Sequence, residues 1–437
     1  MKFGGSSVAN RTQIDKVMAI VRDRRERRPV VVSSAHKGIT DLLIDSAKAA
    51  ASGQAPDDRA IDRQREVATE LGCDEALMAP FFDEIRDLLR GINLVRELSP
   101  RSLDYISSFG ERMSVRCIAD YMSRNGLKAQ AYDAWDLGFV TDAVFGRARP
   151  LPGFEARMRD AFATHVPEDT VPIVTGFVGH NEAGEITTLG RNGSDLTATL
   201  IAAALKAEEA QIWSDTDGVM TADPSIVHGA RSIPSMGFDE AAELAYFGSR
   251  VLHPSTLVPA IDNDIPVRVL NTNRPDHPGT VIRSTVSPKD EPVTSIAYKD
   301  GQSVLTISSP RMFEQVGFLA EAFTVIARHE AIVDMVATSE VSVSVTSHDA
   351  TRLGKAAAAL GHLGQVDVKG GKTILAVVGR DIRDRKGIAA RVTTALTEAD
   401  VNLEMISFGM GSNNMSLVID DAAVDRAVRH LHAALFE

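Results

Sequence analysis

Two short segments rich in glycine and serine each contain one basic residue and could bind a phosphoryl group. They are KFGGSS at residues 2–7 and GRNGSD at residues 190–195. The small residues would let backbone amides approach an anion closely, while Lys2 and Arg191 would supply positive charge. Phosphoryl transfer depends mainly on positioning and charge neutralisation. Together the segments predict a kinase, although neither has the GxxxxGK[ST] spacing of a Walker A loop.

The elements that would position these segments alternate between short apolar runs and helical patterns over residues 1–283. The apolar runs lie at residues 30–32, 129–132, 171–175, 210–213 and 266–270. This alternation predicts an α/β domain with a mainly parallel sheet between helices, where ligands bind beyond the carboxyl ends of the strands. Residues from about 55 to 98 are charged and helical in period. We interpret them as an inserted helical subdomain, either a scaffold or a lid.

The C-terminal part of the chain contains an internal repeat at an offset of 70 residues. A polar segment, residues 284–300, is predicted to be the linker that precedes it. The matching positions are 304–307 with 374–377, Gly317 with Gly387, and 333–336 with 403–406. Each copy follows the pattern strand, glycine-led helix, strand, strand, about half of a ferredoxin-like sandwich. The repeat predicts two α+β domains, residues 301–370 and 371–437.

The bulk properties restrict the class of protein. A chain of 437 residues can form two or three domains. Its formal net charge of −12 argues against nucleic acid or an anionic membrane as the main partner. The two cysteines, Cys73 and Cys117, have no metal-ligand spacing, and no apolar stretch approaches the length of a membrane span. We therefore expect a cytoplasmic protein with reduced thiols and no metal site of its own.

The order of the motifs resembles that of the aspartate kinases in the amino-acid kinase superfamily. The motifs are residues 2–7, 33–40 (SSAHKGIT), 109–112 (FGER), 213–218 (WSDTDG) and 247–254 (FGSRVLHP). The resemblance covers essentially the whole chain and is strongest to the single-function, lysine-inhibited type. It implies a catalytic domain at residues 1–283 followed by tandem ACT domains, which bind small amino acids in related enzymes. A generic α+β oligomerisation module is the alternative interpretation of the repeat.

The activity that the resemblance implies is ATP-dependent phosphorylation of L-aspartate to 4-phospho-L-aspartate, the first step toward lysine, threonine and methionine. Mg²⁺ would accompany ATP, held by phosphate oxygens and water, so that no protein metal ligand is needed. Lysine would be the feedback inhibitor. The two ACT domains imply a homodimer or a larger homo-oligomer.

The resemblance also assigns substrate-binding roles to individual residues. Lys2 and Asp195 would be catalytic, with Lys2 neutralising charge on the transferring group. The residues that would bind aspartate are Thr40, Glu111, Arg191 and Asp195. The chemistry agrees, because a guanidinium suits a carboxylate and an acidic side chain suits the α-ammonium group. The phosphorylated group is already an ionised carboxylate and needs no general base, so His253 is predicted to be structural.

The nucleotide site is implied in the same way. Its residues would be Lys2, Gly4, Gly5, Ser34, Ser214, Asp215, Met220 and Arg250. Members of the family usually have a tyrosine and an arginine where this chain has Met220 and Ser225, and a lysine at the position of Arg250. These differences would alter ATP affinity or nucleotide choice.

The effector site implied for the first repeat copy consists of Met312, Phe318, Leu319, Val333, Asp334 and Glu340. Asp334 and Glu340 would bind ammonium groups. Gln315 and Ile332 stand where serines are expected, which would weaken or alter effector binding.

Two other functions are compatible with the sequence. A sister amino-acid kinase would phosphorylate another acid, such as glutamate or N-acetylglutamate, although the repeat and the FGE motif favour aspartate. A catalytically weak paralogue would instead serve as an amino-acid-binding regulatory subunit, an interpretation that Met220 and Ser225 support.

Overall fold

The computed structural model describes residues 1–247, 253–284, 292–313, 315–409 and 411–437. It divides into two compact units. The first contains Met1–Val219 and the described residues 253–284; the second contains residues 220–247 and the described residues from 292 onward. Among the described residues, none of the helices combines the length and hydrophobicity needed to cross a lipid bilayer.

The described strands are β1 (Lys2–Phe3), β2 (Val31–Ser33), β3 (Ala129–Tyr132), β4 (Val140–Thr141), β5 (Val171–Thr175), β6 (Val178–Asn181), β7 (Ile186–Thr188), β8 (Ala210–Ser214), β9 (Ser235–Gly237), β10 (Val267–Asn271), β11 (Thr280–Arg283), β12 (Ser295–Ser308), β13 (Val336–Thr338), β14 (Ser342–Ser347), β15 (Gln365–Val378), β16 (Met405–Ser407) and β17 (Asn414–Asp420).

The described α-helices are α1 (Arg11–Asp23), α2 (Ile39–Ala51), α3 (Arg59–Leu71), α4 (Glu75–Val95), α5 (Pro100–Arg124), α6 (Phe154–His165), α7 (Gly193–Leu205), α8 (Phe238–Tyr246), α9 (Pro254–Asp262), α10 (Phe318–Arg328), α11 (Ala350–Leu360), α12 (Ile388–Glu398) and α13 (Val424–Phe436).

The main sheet of the first unit contains strands in the order β3-β5-β2-β1-β8-β10-β11. Neighbouring strands run parallel, except that β10 and β11 are antiparallel. The short strand β1 lies at the centre, with Lys2 paired to Val32 on β2 and to Ile212 on β8. Phe3 and Trp213 are fully buried and their rings stack 5.8 Å apart. The predicted α/β fold with a mainly parallel sheet is confirmed.

Helices α3 and α4 lie within the segment predicted to be a helical insert. Their apolar faces, with Ile61, Val67, Met78 and Phe82, belong to the same buried core as Phe3. A lid would present fewer buried contacts to the rest of the unit. The shared core therefore favours the scaffold interpretation.

The second unit is built on a six-stranded sheet in the order β13-β14-β12-β15-β17-β16. Strands β12 and β15, each 14 residues long, run antiparallel through its centre. Residues 303–308 of β12 pair with β14, and residues 304–308 also pair with residues 365–369 of β15. Residues 372–378 of β15 pair with β17, and residues 374–378 also pair with residues 295–299 of β12. Each repeat copy therefore contains one half of β12 and one half of β15, and the other halves of the two strands belong to the other copy.

The structure differs from the predicted boundaries at two places. The predicted linker extended to residue 300, whereas β12 begins at Ser295, so the end of that segment is a buried part of the second copy. The predicted catalytic domain, residues 1–283, includes residues 220–247, which pack with the second unit in the structure. Local sequence pattern did not reveal either boundary, because both depend on pairing with residues far along the chain.

Candidate active site

The predicted site residues follow three neighbouring strands of the first unit. Strands β2, β1 and β8 are adjacent and parallel, and they end at Ser33, Phe3 and Ser214. In a parallel sheet these carboxyl ends share one edge, where open α/β folds bind their ligands. The residues directly after the three strands are Ser34, Gly4 and Asp215.

Lys2 and Asp195 form an ion pair at this edge. The Nζ atom of Lys2 lies 2.6 Å from Oδ1 of Asp195, and the two side chains are only 12% and 6% exposed. Asp195 is in the first turn of α7. Gly4 lies beside the pair, since a Cβ there would be 3.5 Å from the ammonium group. The site therefore holds a sheltered cation next to a glycine backbone and a helix N-terminus, a combination suited to an anion.

Glu111 supplies a buried carboxyl group from α5. Its Oε1 accepts a hydrogen bond of 3.2 Å from the backbone N–H of Ala35, while Oε2 accepts none from the described residues. Burial raises the pKa of Glu111 to about 8, an effect that the Ala35 amide and the charge of Lys2 only partly oppose. With this pKa the carboxyl group is mostly protonated at pH 7, and a cation bound beside it would favour the ionised form.

Glycines allow the substrate segments to approach one another. A Cβ at Gly110 would lie 2.7 Å from Cβ of Ala35 and 3.1 Å from Oγ1 of Thr40, so α5 could not pack here with a larger residue. A Cβ at Gly5 would lie 3.1 Å from the carbonyl oxygen of Ala35. Gly38 has φ 84° and begins α2, whose first turn carries Thr40. The glycine of the FGE motif thus allows Thr40 to lie against the turn of α5 that carries Glu111.

The turn after β8 is fixed by hydrogen bonds. The hydroxyl oxygens of Ser214 and Thr216 lie 3.0 Å apart. The Oδ1 atom of Asp217 accepts a bond of 2.7 Å from the Asn271 side chain, and its carboxylate also pairs with Arg274. Gly218 has φ 103°, and a Cβ there would collide with Thr280. The Asp-Gly turn at the end of the WSDTDG motif therefore has a definite structural cause.

Arg191 is exposed in the loop before α7 and has no described hydrogen-bond or ion-pair partner in the part of the chain that the structure covers. Its positive charge acts on His253. Burial is the larger cause that lowers the pKa of this histidine, and the charge of Arg191 is the second. His253 caps α9: its Nδ1 accepts a bond of 3.3 Å from the N–H of Ser255. This cap agrees with the structural role predicted for His253.

Two of the remaining predicted nucleotide residues, Ser34 and Asp215, directly follow strands that end at this edge. Ser34 is half-buried and its N–H donates to the carbonyl of Phe3, while Asp215 is exposed. Met220 belongs to the second unit, where its carbonyl accepts a bond from the hydroxyl of Ser295. Arg250 lies outside the described residues.

Two buried supporting residues were missed by sequence reasoning. Asp104 accepts three hydrogen bonds of 2.8 Å, from the N–H of Gly146 and from both the N–H and the hydroxyl of Thr188. The Nδ1 atom of His36 lies 2.6 Å from the carbonyl oxygen of Val8, and burial lowers the pKa of His36 to about 4. These residues tie α5 and the segments after β1 and β2 to their neighbours. Of these two residues, only Asp104 could have been found from the sequence, because it is a charged residue on the apolar side of a helical pattern.

Comparisons with known proteins show the family to which the chain belongs. The amino acid kinase family matches residues 1–271, and an ACT domain matches residues 375–435. "Aspartokinase 1, chloroplastic" of Arabidopsis thaliana is 38% identical over 455 residues, spanning 100% of this chain and 80% of its own. The chain belongs to the aspartokinase family. "Lysine-sensitive aspartokinase 3" of Escherichia coli is 35% identical over 454 residues, covering 100% of this aspartokinase and 98% of its own length.

A solved structure extends the comparison to the fold. The crystal structure of E. coli aspartokinase III in complex with aspartate and ADP has a TM-score of 0.85, with 34% identity and coverage of 100% and 99% of the two chains. The predictions of an aspartate kinase and of C-terminal ACT domains are confirmed. Aspartate kinase activity, rather than that of a sister amino-acid kinase, is the enzymatic function of the chain.

The second unit of this aspartokinase contains a polar cluster around the buried carboxylate of Asp334. The Asp334 side chain is 1% exposed, and its Oδ1 lies 2.8 Å from Nζ of Lys299 and 3.0 Å from the hydroxyl of Tyr246. Oδ2 accepts no hydrogen bond from the described residues, although Nδ1 of His348 is 3.7 Å away. Sequence reasoning selected Asp334 but missed Lys299 and Tyr246, which are distant in the chain.

The other predicted effector residues divide by burial. Phe318 is 2% exposed at the start of α10, in the core of the first copy, and Met312 and Val333 pack against that core. Leu319 is 38% exposed and Glu340 is exposed. Asp334 is therefore the predicted effector residue with a buried, partly unsatisfied charge.

Proposed function

We propose that this aspartokinase transfers the γ-phosphoryl group of ATP to the β-carboxylate of L-aspartate, and that L-lysine inhibits it through the first ACT copy. The observation that carries the catalytic part is the sheltered Lys2–Asp195 pair, with the neutral Glu111 close enough to be influenced by Lys2. We assign the ammonium group of Lys2 to the phosphates of ATP and the two acidic groups to the amino acid. The E. coli relatives that bind aspartate and ADP or are lysine-sensitive support the same assignment.

The reaction follows from these charges. A β-carboxylate oxygen of aspartate attacks the γ-phosphorus, a new P–O bond forms, and the bond to the β-phosphate bridging oxygen breaks. ADP leaves with that electron pair, and no proton has to move. Lys2 and the Gly4 amide stabilise negative charge on the transferring group, while Glu111 and Asp195 orient the α-ammonium of aspartate. We further assign Ser34, Ser214, Asp215, Met220 and Arg250 to the nucleotide and Thr40 to aspartate.

Mg²⁺ would arrive with the nucleotide. Among the described residues, no group of three or more His, Cys, Asp or Glu side chains is arranged to hold a metal ion. The phosphate oxygens and water would therefore provide most of its ligands, and the ion would supply additional neutralisation of phosphate charge.

The direct test is an ADP-release assay with ATP, Mg²⁺ and L-aspartate, in which hydroxylamine traps the acyl phosphate. We expect ADP and aspartyl hydroxamate in equal amounts, and a decrease in rate when lysine is added. ADP release without hydroxamate would exclude aspartate as the acceptor. Absence of turnover from the folded, full-length chain would favour the regulatory-paralogue alternative.

Substitution Arg191→Ala should weaken aspartate binding. The exposed guanidinium precedes α7 and is available to form two charge-assisted hydrogen bonds with a substrate carboxylate. We expect the aspartate KM to rise roughly 10- to 100-fold, with a smaller change in kcat. Arg191→Lys, which keeps the charge and loses the planar fork, should be intermediate. Steady-state kinetics with an unchanged aspartate KM in Arg191→Ala would remove this residue from the site.

The lysine part of the proposal depends on the difference between the two repeat copies. Glu404 occupies the repeat position of Asp334. In the second copy Nζ of Lys372 lies 2.5 Å from both Glu404 and Asp420, and the lysine side chain is 9% exposed. Lys372 thus bridges two carboxylates in the second copy, whereas in the first copy Lys299 and Tyr246 contact Oδ1 of Asp334, and its buried Oδ2 accepts no hydrogen bond from the described residues. The first copy is therefore the better site for the ammonium group of an amino acid.

Asp334→Asn should consequently weaken lysine binding at least about tenfold, because a neutral amide replaces the charge that would pair with the ligand. Glu404→Gln is the matched control, since it neutralises the equivalent position of the other copy. Isothermal titration with lysine measures both variants. Equal lysine affinity in Asp334→Asn and the wild type would refute the assignment of the effector to the first copy.

We also propose that the enzyme acts in the cytoplasm as a dimer or larger homo-oligomer assembled through its ACT domains. Several apolar side chains of this unit are exposed, including Val316 at 100% and Ile332 at 56%. Light scattering after size-exclusion chromatography would measure the mass, and a monomer at micromolar concentration would refute the oligomer.

A further inference from the structure

The two cysteines of the chain are neighbours inside the first unit. Cys73 lies between α3 and α4, and its side chain packs against the buried core that contains Cys117 of α5. The Sγ atom of Cys73 lies 3.8 Å from the backbone carbonyl oxygen of Cys117, and the two thiols hydrogen-bond to each other. Both thiols are free. The fold therefore brings together two sulfur atoms whose residues are 44 positions apart.

The backbone on each side of this pair is fixed. Gly72 ends α3 in the left-handed conformation, with φ 66°, and the N–H of Cys73 donates to the carbonyl of Ala68 at 2.9 Å. The next residue, Asp74, caps α4 by accepting a bond of 2.9 Å from the N–H of Ala76. Cys117 is held within α5, a helix of 25 residues. The pair is preorganised, so a bond between the two sulfur atoms would cost little conformational freedom.

The two thiols differ in exposure and in acidity. Cys73 is partly exposed, whereas Cys117 is fully buried. The hydrogen bond from the Cys117 thiol is the largest cause that lowers the pKa of Cys73, and burial opposes it. The same hydrogen bond, followed by burial, raises the pKa of Cys117. Because the thiolate is the reactive form, Cys73 is the thiol that an oxidant from solvent would reach and oxidise first.

We propose that Cys73 and Cys117 form a reversible disulfide within the chain when the protein is exposed to hydrogen peroxide. The sulfur of Cys73 attacks one peroxide oxygen, an S–O bond forms, the O–O bond breaks, and the leaving hydroxide takes the thiol proton to become water. The sulfur of Cys117 then attacks that of Cys73, the S–S bond forms, the S–O bond breaks, and the Cys117 proton leaves with the hydroxide as a second water. The two thiols lose two electrons, and these reduce the peroxide.

The bond would fasten the corner between α3 and α4 to the helix that carries Glu111. It would close a loop that contains all of α4 and the greater part of α5. Closing such a loop restricts the unfolded chain more than the folded one, so the oxidised protein should be the more stable form.

Mass spectrometry of the full-length protein, before and after treatment with hydrogen peroxide, tests the bond. The treated protein should be lighter by two hydrogen atoms and lack both free thiols, and dithiothreitol should restore them. A digest without reductant should contain the peptides of Cys73 and Cys117 joined to each other. Two thiols that remain free, a bond between two copies of the chain, or oxygen added at Met78, whose Sδ lies 3.6 Å from Sγ of Cys117, without loss of thiols would overturn the proposal.

Cysteine variants separate the roles of the two thiols. In Cys117→Ala the oxidised Cys73 has no thiol to react with, so it should remain a sulfenic acid that dimedone labels. If this variant does not fold, Cys117→Ser replaces it, because a hydroxyl can still accept from Gln64, whose Nε2 lies 3.5 Å from the thiol. In Cys73→Ser the remaining buried thiol should be oxidised at least about tenfold more slowly than the thiols of the wild type. Equal rates would refute the assignment of Cys73 as the first thiol to react.

Thermal unfolding tests the fastening of α5. The oxidised wild type should melt about 5 °C above the reduced wild type, and dithiothreitol should abolish the difference. Peroxide treatment of Cys73→Ser should produce no such increase. An oxidised protein that contains the internal disulfide but melts at or below the temperature of the reduced protein would refute the stabilising role of the bond.

Discussion

Lys2→Ala should reduce kcat about 10³-fold, the size of effect seen when one preorganised charge-stabilising group is removed. The Michaelis constants for ATP and aspartate should change less than about tenfold, because the ammonium group interacts most strongly with charge that develops in the transition state. Steady-state kinetics at saturating substrates would measure both quantities. The structural basis is the sheltered position of Nζ, 2.6 Å from Asp195 and beside Gly4 at the centre of the sheet.

Two controls separate this effect from a loss of stability. Lys128→Ala removes a lysine of the same unit whose Nζ lies 2.5 Å from Asp169 on the surface, and it should leave kcat unchanged. Lys2→Ala leaves Asp195 buried without its cation, so the variant should also unfold at a lower temperature. The double variant Lys2→Ala/Asp195→Asn should recover the melting temperature and remain inactive. A kcat within threefold of the wild type in Lys2→Ala would exclude Lys2 from the mechanism.

Glu111→Gln should raise the aspartate KM about 100-fold, with a smaller loss in kcat, because a buried amide cannot neutralise the substrate ammonium group. The variant should also remove a proton-linked step. With a pKa of about 8, Glu111 is mostly protonated at pH 7 and must ionise when the ammonium binds. Aspartate binding to the wild type at pH 7 should therefore release close to one proton, and affinity should increase with pH up to about 8.

Titration calorimetry in buffers of different ionisation enthalpy measures this proton directly. The released proton should be absent in Glu111→Gln. Folding stability depends on pH in the opposite direction. The folded state binds the Glu111 proton more tightly than the unfolded chain does, because the pKa is raised to about 8. The free energy of unfolding therefore decreases as pH rises from the ordinary glutamate range toward 8. Glu111→Gln should consequently be at least as stable as the wild type at pH 8. Buffer-independent binding enthalpies in the wild type would contradict the neutral state of Glu111.

Much of the catalytic unit could be predicted because its signals are local. Short apolar runs followed by helical periods indicated the parallel sheet, and the glycines of residues 2–7 marked the end of β1. The FGE motif was recognised from the family resemblance, and the structure gives the reason for its glycine, since only glycine fits where α5 approaches Ala35 and Thr40. The predicted pairing of the motifs with aspartate and ATP came from the family resemblance, and the individual site residues remain proposals.

The parts that could not be predicted depend on contacts between distant residues. The halves of β12 and β15 are exchanged between the ACT copies, which moved residues 295–299 out of the predicted linker. Residues 220–247 contain an ordinary helix pattern, and only their packing assigns them to the second unit. Met220 is the first residue of this segment and lies in the second unit for the same reason.

The sequence by itself determined the chemistry that is available: a lysine and glycines at a strand end, an acidic residue in a helical motif, and two copies of an α+β domain. Residue type and short-range periodicity are sufficient for these features, because they reflect backbone freedom and the burial of one face of each element. The tertiary structure decided which charges meet. Burial of Glu111 made it a neutral acid, and packing of α8 brought Tyr246 to Asp334 beside Lys299. Such encounters arise from the folding of distant segments into one low-dielectric interior, where desolvation and partners set the state of each group.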